Sequence, residues 1–151
     1  MEKNKVSIII PVYNAQEGIK QCMDSLLNQS FTDFEIILLN DGSTDKSAQI
    51  IQETLRDSPF PTQFKSHENM GVVKTRNKGL SLIQGTFFLF VDSDNFLDEN
   101  YIEKLYQKLC LEKADIAYSD LYDPDRHKIY LKSHPFDLSS FLERSYIDSC
   151  S

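Results

Sequence analysis

Three short, largely apolar runs, separated by stretches of helical periodicity, constrain the fold of this chain more than any other feature of its sequence. They are Val6–Ile10, Phe34–Leu39 and Thr86–Val91. Runs this short and apolar are typical of strands buried on both faces of a parallel sheet. Strands that alternate with helices imply parallel βαβ units with right-handed crossovers. The sequence therefore predicts an α/β fold, with a mostly parallel central sheet flanked by helices.

Weaker patterns predict the other elements. Thr62–His67 predicts a strand at a sheet edge. Residues 71–84 predict a helix with Val73, Leu80 and Ile83 facing inward and ended by Gly85. The remaining expectations are, in chain order, a capping box from Asn14 and Glu17, an N-cap at Ser43 or Thr44, a helix capped by Asp98, strands over 114–118 and 128–132, and a helix over 138–144.

Composition narrows the classes of function. The 151 residues carry a net charge of −7, whereas a nucleic-acid-binding domain normally has a basic face, so we expect no nucleic-acid partner. The three cysteines lie far apart, without metal-type spacing. There is no secretory signal and no apolar stretch near the roughly 20 residues of a membrane span, so we expect a cytoplasmic protein. We expect one domain over 1–151 and, because the sequence stops abruptly at Ser151, a fragment of a longer protein.

Two carboxylates, Asp92 and Asp94, directly follow the third apolar run. Their spacing places them on one side of the C-terminal end of that strand, where open α/β sheets bind ligands. Paired carboxylates repel each other unless a positive charge lies between them, and hard divalent cations take oxygen ligands. The pattern predicts a site for a cation that carries a diphosphate. The alternative is an exposed acidic turn in which Asp94 caps the next segment.

Polar residues also follow the first two strands. Pro11, Val12, Tyr13 and Asn14 come after the first strand, where Tyr13 could offer a ring face to a nucleobase. Asp41 comes after the second strand and could accept a hydrogen bond from an imide N–H, such as that of uracil N3. An ordinary strand-to-helix turn is the alternative in both places. The glycine-rich signatures of Rossmann dinucleotide sites and of P-loops are absent.

The third predicted helix carries three basic side chains, Lys74, Arg76 and Lys78. It also contains Gly79, which costs about 1 kcal/mol relative to alanine in a helix. With Asn77 expected to face inward, this glycine indicates close packing or a bound ligand. A solvated basic face is the alternative, and it suits Lys78 better than Arg76.

Other chemistry-bearing residues form no recognisable constellation. Asp120 follows the strand predicted over 114–118, and either reaches a ligand group or is satisfied by turn amides. The histidines, His67, His127 and His134, share no ligand spacing, and we interpret them as structural or exposed. No Ser/His/Asp or Cys/His arrangement can be assembled.

Taken in order, these segments resemble the family 2 glycosyltransferases of the GT-A fold. The matching segments are Val6–Asn14, Asn40–Asp45, Asn69–Gly71 with Arg76–Gly79, and Val91–Asp94, which together span about residues 5–120. The resemblance implies a GT-A-type, Rossmann-like sandwich and a nucleotide-sugar donor, a UDP-sugar first of all. It implies that the nucleotide contacts Pro11, Val12, Tyr13, Asn14, Asp41, Arg76, Asp92 and Ser93. It also implies that Asp92 and Asp94 hold a Mn²⁺ or Mg²⁺ ion.

The resemblance further implies inversion at the anomeric carbon, with a separate carboxylate as general base toward the acceptor. Nothing after Tyr122 matches the motif that carries that base, so the catalytic residue stays unassigned. We expect the nucleotide-binding part of a transferase for cell-wall or polysaccharide synthesis, acting on a glycan, lipid or protein acceptor. Peripheral membrane association of the full-length protein is a further expectation. The alternatives are a non-catalytic nucleotide-sugar-binding module and, ranked lower, a sugar-phosphate nucleotidyltransferase.

Overall fold

A computed structural model of the chain describes residues 5–119, 121–123 and 128–130. It divides into two compact units, Met1–Gln107 and Lys108–Ser151. In the first unit the strands are β1 (Val6–Val12), β2 (Phe34–Asp41), β3 (Thr62–His67) and β4 (Phe87–Phe90). The helices are α1 (Ile19–Leu27), α2 (Ser47–Leu55), α3 (Val72–Leu80) and α4 (Tyr101–Glu112), the last continuing into the second unit.

The four strands form one parallel sheet in the order β3-β2-β1-β4. Every residue of β1 and β2 is buried, as expected for the two inner strands of a sheet covered on both faces. The chain runs outward from β1 through β2 to β3 and then returns to place β4 on the other side of β1, so the sheet has a topological switch point beside β1. In open α/β sheets, a crevice for ligands opens at such a point, outside the carboxyl ends of the strands.

Helices cover both faces of the sheet, and alternate strand residues contact different helices. Ile8 and Ile10 pack in one core cluster with residues of α1, α2 and α4. Ile9, which points to the opposite face, packs with Leu80 at the end of α3. This arrangement confirms the predicted α/β sandwich with a parallel sheet. No described helix has both the length and the apolar character needed to cross a membrane.

The two predicted helix caps on the first two helices are wrong. Helix α1 begins at Ile19, with Gly18 at its N-cap position and no side-chain cap. Helix α2 begins at Ser47, with Lys46 at its N-cap position and again no side-chain cap. Asn14 and Ser43, which suggested caps, bond instead to each other's loop.

The third helix also differs in detail from its prediction. It covers Val72–Leu80 rather than 71–84. Val73 is 68% exposed instead of facing inward, and Asn77 is exposed as well. Gly79 is buried, and a Cβ there would overlap Cγ2 of Ile9 on β1. Of the two interpretations of this glycine, close packing or a bound ligand, the contact with Ile9 supports close packing.

The second unit contains the end of α4 and a short antiparallel pair, β5 (Leu121–Asp123) and β6 (Lys128–Tyr130). Strand β6 lies within the strand predicted over 128–132. The strand predicted over 114–118 is wrong, because these residues form no regular element. Its apolar residues Ile116 and Tyr118 are 54% and 43% exposed, so no burial accompanies the pattern. Asp120 and the helix predicted over 138–144 lie outside the described residues, as do His127 and His134.

Gly79→Ala is expected to lower the free energy of unfolding by about 1–3 kcal/mol, because an added methyl group overpacks the contact between α3 and Ile9. The intrinsic helix preference of alanine opposes this by at most about 1 kcal/mol. Urea unfolding followed by circular dichroism measures the difference. Lys74→Ala, at an exposed position of the same helix, serves as the matched control and should stay within about 0.5 kcal/mol of the parent. A stabilised Gly79→Ala variant would contradict the packing argument.

Candidate functional site

A cleft of about 420 Å³ opens at the carboxyl ends of the strands, within the usual size range of small-molecule sites. It is lined by Pro11, Val12, Tyr13, Asp41, Asn69, Gly71, Val72, Asp92 and Ser93. Six of the eight residues predicted to bind a nucleotide are in this lining. Asn14, Arg76 and the predicted metal ligand Asp94 are not. The sheet therefore brings the ends of β1, β2 and β4 together, as the strand-end argument predicts.

Asp41 holds the loop between β3 and α3 in place. Its side chain is almost fully buried. Its Oδ1 accepts a hydrogen bond from the Met70 amide at 2.7 Å, and its Oδ2 accepts one from the Gly71 amide at 3.0 Å. Its main-chain oxygen accepts a further bond from Asn69 Nδ2 at 3.0 Å. The carboxylate thus positions the loop that supplies Asn69, Gly71 and Val72 to the cleft.

The same loop approaches β2 closely at Gly42. This residue has a positive φ of 73°, and a Cβ there would lie 2.7 Å from the Asn69 amide nitrogen. Both facts favour glycine at this position. Asn69 and Gly71 belong to a segment that carries the family resemblance, but the sequence alone assigns them no role. The signal that could have found them is their position directly after a strand that ends at the same sheet edge.

His67, which the sequence indicates to be structural or exposed, lies beside Asp41. Its side chain is 9% exposed, and its Nδ1 lies 3.3 Å from Oδ1 of Asp41. The same nitrogen lies 3.0 Å from the main-chain oxygen of Glu68. Because His67 is the last residue of β3, it reaches the carboxyl edge of the sheet alongside the cleft residues.

Asn14 connects two loops rather than facing the cleft. Its main-chain N–H donates to Ser43 Oγ at 3.0 Å, and its side-chain oxygen accepts from the main-chain N–H of Thr44 at 2.8 Å. Its φ of +48° is a left-handed conformation that asparagine tolerates better than most residues. These contacts explain why Asn14 does not cap α1, and they tie the loop after β1 to the loop after β2.

Asp45 completes the connection between the two loops. Its carboxylate accepts a hydrogen bond from the main-chain N–H of Gln16 at 3.0 Å. It also accepts from the main-chain N–H and the hydroxyl of Ser47, at 2.9 and 2.6 Å. Desolvation acts to raise the pKa of Asp45, but the hydrogen bonds from Ser47 and Gln16 outweigh it and hold that pKa below its ordinary value. The carboxylate is therefore ionised at neutral pH, which favours all three bonds.

Arg76 pairs with Asp92, which lines the cleft. Its Nη2 donates to Asp92 Oδ1 at 2.6 Å, and its guanidinium lies 5.5 Å from the ring centre of Phe90. Arg76 and Asp92 are 35% and 49% exposed, so solvent screens part of the attraction. The predicted basic residue of α3 therefore lies at the acidic strand end and orients one of its carboxylates.

Helix α1 supports the Asp92–Asp94 turn from within the core. The thiol of Cys22 lies 3.6 Å from the main-chain oxygen of Asp92. Burial, followed by the charges of Asp94 and Asp92, raises the pKa of Cys22 to about 12, so the thiol stays protonated at neutral pH. A Cβ on Gly18 would lie 3.0 Å from the Cα of Asp94. The turn therefore rests on a close helix–loop contact.

The donor set at this turn suits a divalent cation that is only partly held by protein. Asp94 is exposed, and Asp92 keeps Oδ2 free of the Arg76 bond. Within the described part of the chain, no group of three or more His, Cys, Asp or Glu side chains could hold a metal ion. Mg²⁺ and similar ions commonly bind through one or two carboxylates, with phosphates and waters completing the shell. Asp92 and Asp94 fit that pattern and do not fit an all-protein cage.

Comparisons with known proteins agree with this architecture. The sequence model of the family described as Glycosyl transferase family 2 matches residues 7–146. Glycosyltransferase GlyA of Streptococcus pneumoniae is 37% identical over 119 residues, which are 79% of this chain and 17% of that protein. An uncharacterized glycosyltransferase of Haemophilus influenzae is 36% identical over 143 residues, 91% of this chain and 57% of that protein.

Solved structures show the same fold. The crystal structure of Staphylococcus aureus TarS residues 1–349 has a TM-score of 0.68 and 31% identity, and the match covers 74% of this chain and 34% of that 1–349 chain. TarS has also been solved with UDP and with UDP-GlcNAc. The mannosyltransferase PcManGT of Pyrobaculum calidifontis, solved with GDP-Man and Mn²⁺, has a TM-score of 0.67 at 18% identity, covering 72% of this chain and 33% of PcManGT. The chain spans less than two thirds of the length of each of these relatives.

Proposed function

The chain belongs to glycosyl transferase family 2, and on that premise we propose that it binds the donor in a transferase that moves a sugar from a UDP-sugar to a glycan, lipid or protein acceptor. The observation that carries this proposal is a cleft lined together by Tyr13, Asp41 and Asp92, which come from three different strand ends. The relatives are named glycosyltransferases, so a nucleotidyltransferase or a binding module without transfer is not favoured.

We place the nucleobase between Tyr13 and Asp41. The Tyr13 side chain is 55% exposed and lines the cleft, so its ring is available for stacking. Asp41 lines the same cleft as a buried acceptor, which suits the imide N–H of uracil. The complexes of TarS with UDP and UDP-GlcNAc support a uridine nucleotide, since TarS is 31% identical to this chain.

We place the diphosphate at the Asp92–Asp94 turn, where these two carboxylates would hold Mn²⁺ or Mg²⁺. Such an ion, when bound, supplies Lewis-acid stabilisation of the negative charge on the departing nucleoside diphosphate. Arg76 fixes the orientation of Asp92 through Oδ1 and leaves Oδ2 for a ligand. Ser93, which lies between Asp92 and Asp94 in the sequence and lines the cleft, is proposed to contact the nucleotide.

For the acceptor side of the reaction, we propose transfer with inversion at the anomeric carbon. Inversion requires a general base on the acceptor hydroxyl, and we assign that role to no residue of 5–119. The base would lie outside the described residues. A cytoplasmic location, association with a membrane face and a role in cell-wall or polysaccharide synthesis belong to the same proposal.

Titration of the protein with UDP by isothermal calorimetry tests the proposal. We expect saturable binding that tightens at least about tenfold in Mn²⁺, equivalent to about 1.4 kcal/mol, because carboxylates and diphosphate repel each other without the cation. ATP serves as the control nucleotide, since adenine presents no imide N–H to Asp41. The absence of UDP binding, with and without Mn²⁺, would refute the proposed donor site.

A further inference from the structure

A histidine whose side chain is largely buried lies beside the carboxylate proposed to contact the nucleobase. The His67 side chain is 9% exposed, and its Nδ1 is close to two oxygen atoms, the main-chain oxygen of Glu68 at 3.0 Å and Oδ1 of Asp41 at 3.3 Å. Among the described residues, its Nε2 is buried and has no hydrogen-bond partner. The ring therefore interacts with the polar surroundings through Nδ1.

The hydrogen on Nδ1 follows from these neighbours. The main-chain oxygen of Glu68 can only accept a hydrogen bond, so Nδ1 carries the hydrogen in that contact. It donates to the Glu68 oxygen, which fixes the ring, and the same nitrogen lies 3.3 Å from Oδ1 of Asp41. The tautomer is thus set by Glu68 of the β3–α3 loop, beside Asp41 at the end of β2.

The two oxygens of Asp41 consequently differ in what they can still accept. A carboxylate oxygen accepts about two hydrogen bonds. Oδ1 already accepts from Met70 at 2.7 Å, and Nδ1 of His67 lies 3.3 Å from it, which limits the room for a further donor. Oδ2 accepts only from Gly71 among the described residues, which leaves one acceptor position. Asp41 therefore offers a ligand one free acceptor rather than a pair.

We infer that His67 is a positioning residue that sets the nucleobase preference of the donor site, by limiting access to Oδ1 of Asp41 and leaving a single acceptor for the base. This inference rests on the proposed function. Uracil presents one imide N–H between two carbonyl oxygens and needs only one acceptor. Guanine presents a ring N–H beside an amino group, a pair of donors that a carboxylate binds best with both oxygens. The arrangement therefore selects UDP over GDP.

Calorimetric titration with UDP and GDP, both in Mn²⁺, tests the inference on the parent protein and on His67→Ala. We expect the parent to bind UDP at least about tenfold more tightly than GDP, and His67→Ala to narrow that ratio at least about fivefold by exposing Oδ1. Lys65→Ala, at an exposed position of the same strand, should leave the ratio unchanged. His67→Asn, which keeps a short amide donor near Oδ1, should restore most of the preference.

The outcomes separate the inference from the proposed function. If His67 only stabilises the loop, His67→Ala weakens UDP and GDP equally, the ratio stays fixed and the inference is overturned. Equal binding of UDP and GDP by the parent overturns it as well, while the donor site stands. A parent that binds neither nucleotide refutes the proposed function itself. Should His67→Ala fail to fold, His67→Ser leaves similar space beside Oδ1 and is judged by the same ratio.

Discussion

Asp41→Asn is expected to weaken UDP binding by about 100-fold and to lower the free energy of unfolding by about 2–4 kcal/mol. The carboxylate accepts backbone hydrogen bonds from Met70 and Gly71 in a buried position. An asparagine amide would turn its NH₂ group toward one of these N–H donors, and hydrogen bonds to charged groups are worth about 1.5–3 kcal/mol each. The loop that lines the cleft would lose its anchor, and the base would lose its acceptor.

Calorimetry with UDP and urea unfolding measure the two effects of Asp41→Asn separately. Asp57→Asn removes the same charge at an exposed position and should change the free energy of unfolding by less than about 0.5 kcal/mol. A variant that is destabilised yet binds UDP with parental affinity would leave Asp41 as the anchor of the loop and remove it from base recognition.

The α/β architecture could be predicted because the inner strands of this fold are short apolar runs. Strands β1 and β2 are buried at every position, so their sequences show no regular alternation of polar residues that would mark a solvent face. The strand predicted over 114–118 shows the limit of that argument. Its apolar residues resemble those of a strand, but Ile116 and Tyr118 are exposed, and nothing local in the sequence distinguishes the two situations.

The location of the candidate site, a cleft at the strand ends, could be predicted for a similar reason, since parallel strands end at the same edge and bring Tyr13, Asp41 and Asp92 together. The hydrogen-bond and contact partners of the residues around the cleft could not be predicted from the sequence. Asn14 bonds to the loop after β2, although its spacing to the next glutamate matches a capping box. His67 shows no metal-ligand spacing with the other histidines, and its contact with Asp41 arises only when β3 pairs with β2. Such contacts depend on register and loop geometry rather than on local pattern.

Asp94→Asn is expected to abolish the tightening of UDP binding by Mn²⁺, while the metal-free affinity should equal or slightly exceed that of the parent because one repelling carboxylate is lost. Asp94 is exposed, so its carboxylate is free to contribute to a cation carried by the diphosphate. A neutral amide is a weaker ligand for the cation than a carboxylate. With Asp92 as the only remaining carboxylate of the pair, the turn should no longer hold the cation on the diphosphate. UDP titrations at several Mn²⁺ concentrations measure the change, with Asp57→Asn as the control for loss of one surface charge.

Asp92→Asn should behave differently, because one oxygen of Asp92 already accepts a 2.6 Å bond from Arg76. Its replacement removes a proposed metal ligand and also releases the Arg76 guanidinium from its ion pair, while the contact of that guanidinium with the Phe90 ring remains. The metal-free affinity for UDP should therefore change together with the Mn²⁺ effect, since an arginine released from Asp92 would attract the diphosphate directly. If Asp92→Asn and Asp94→Asn gave the same titration curves at every Mn²⁺ concentration, the Arg76–Asp92 pair would have no part in presenting the ligand. If neither variant altered the Mn²⁺ effect, the turn would not be the metal site, and the predicted acidic pair would be an exposed turn after all.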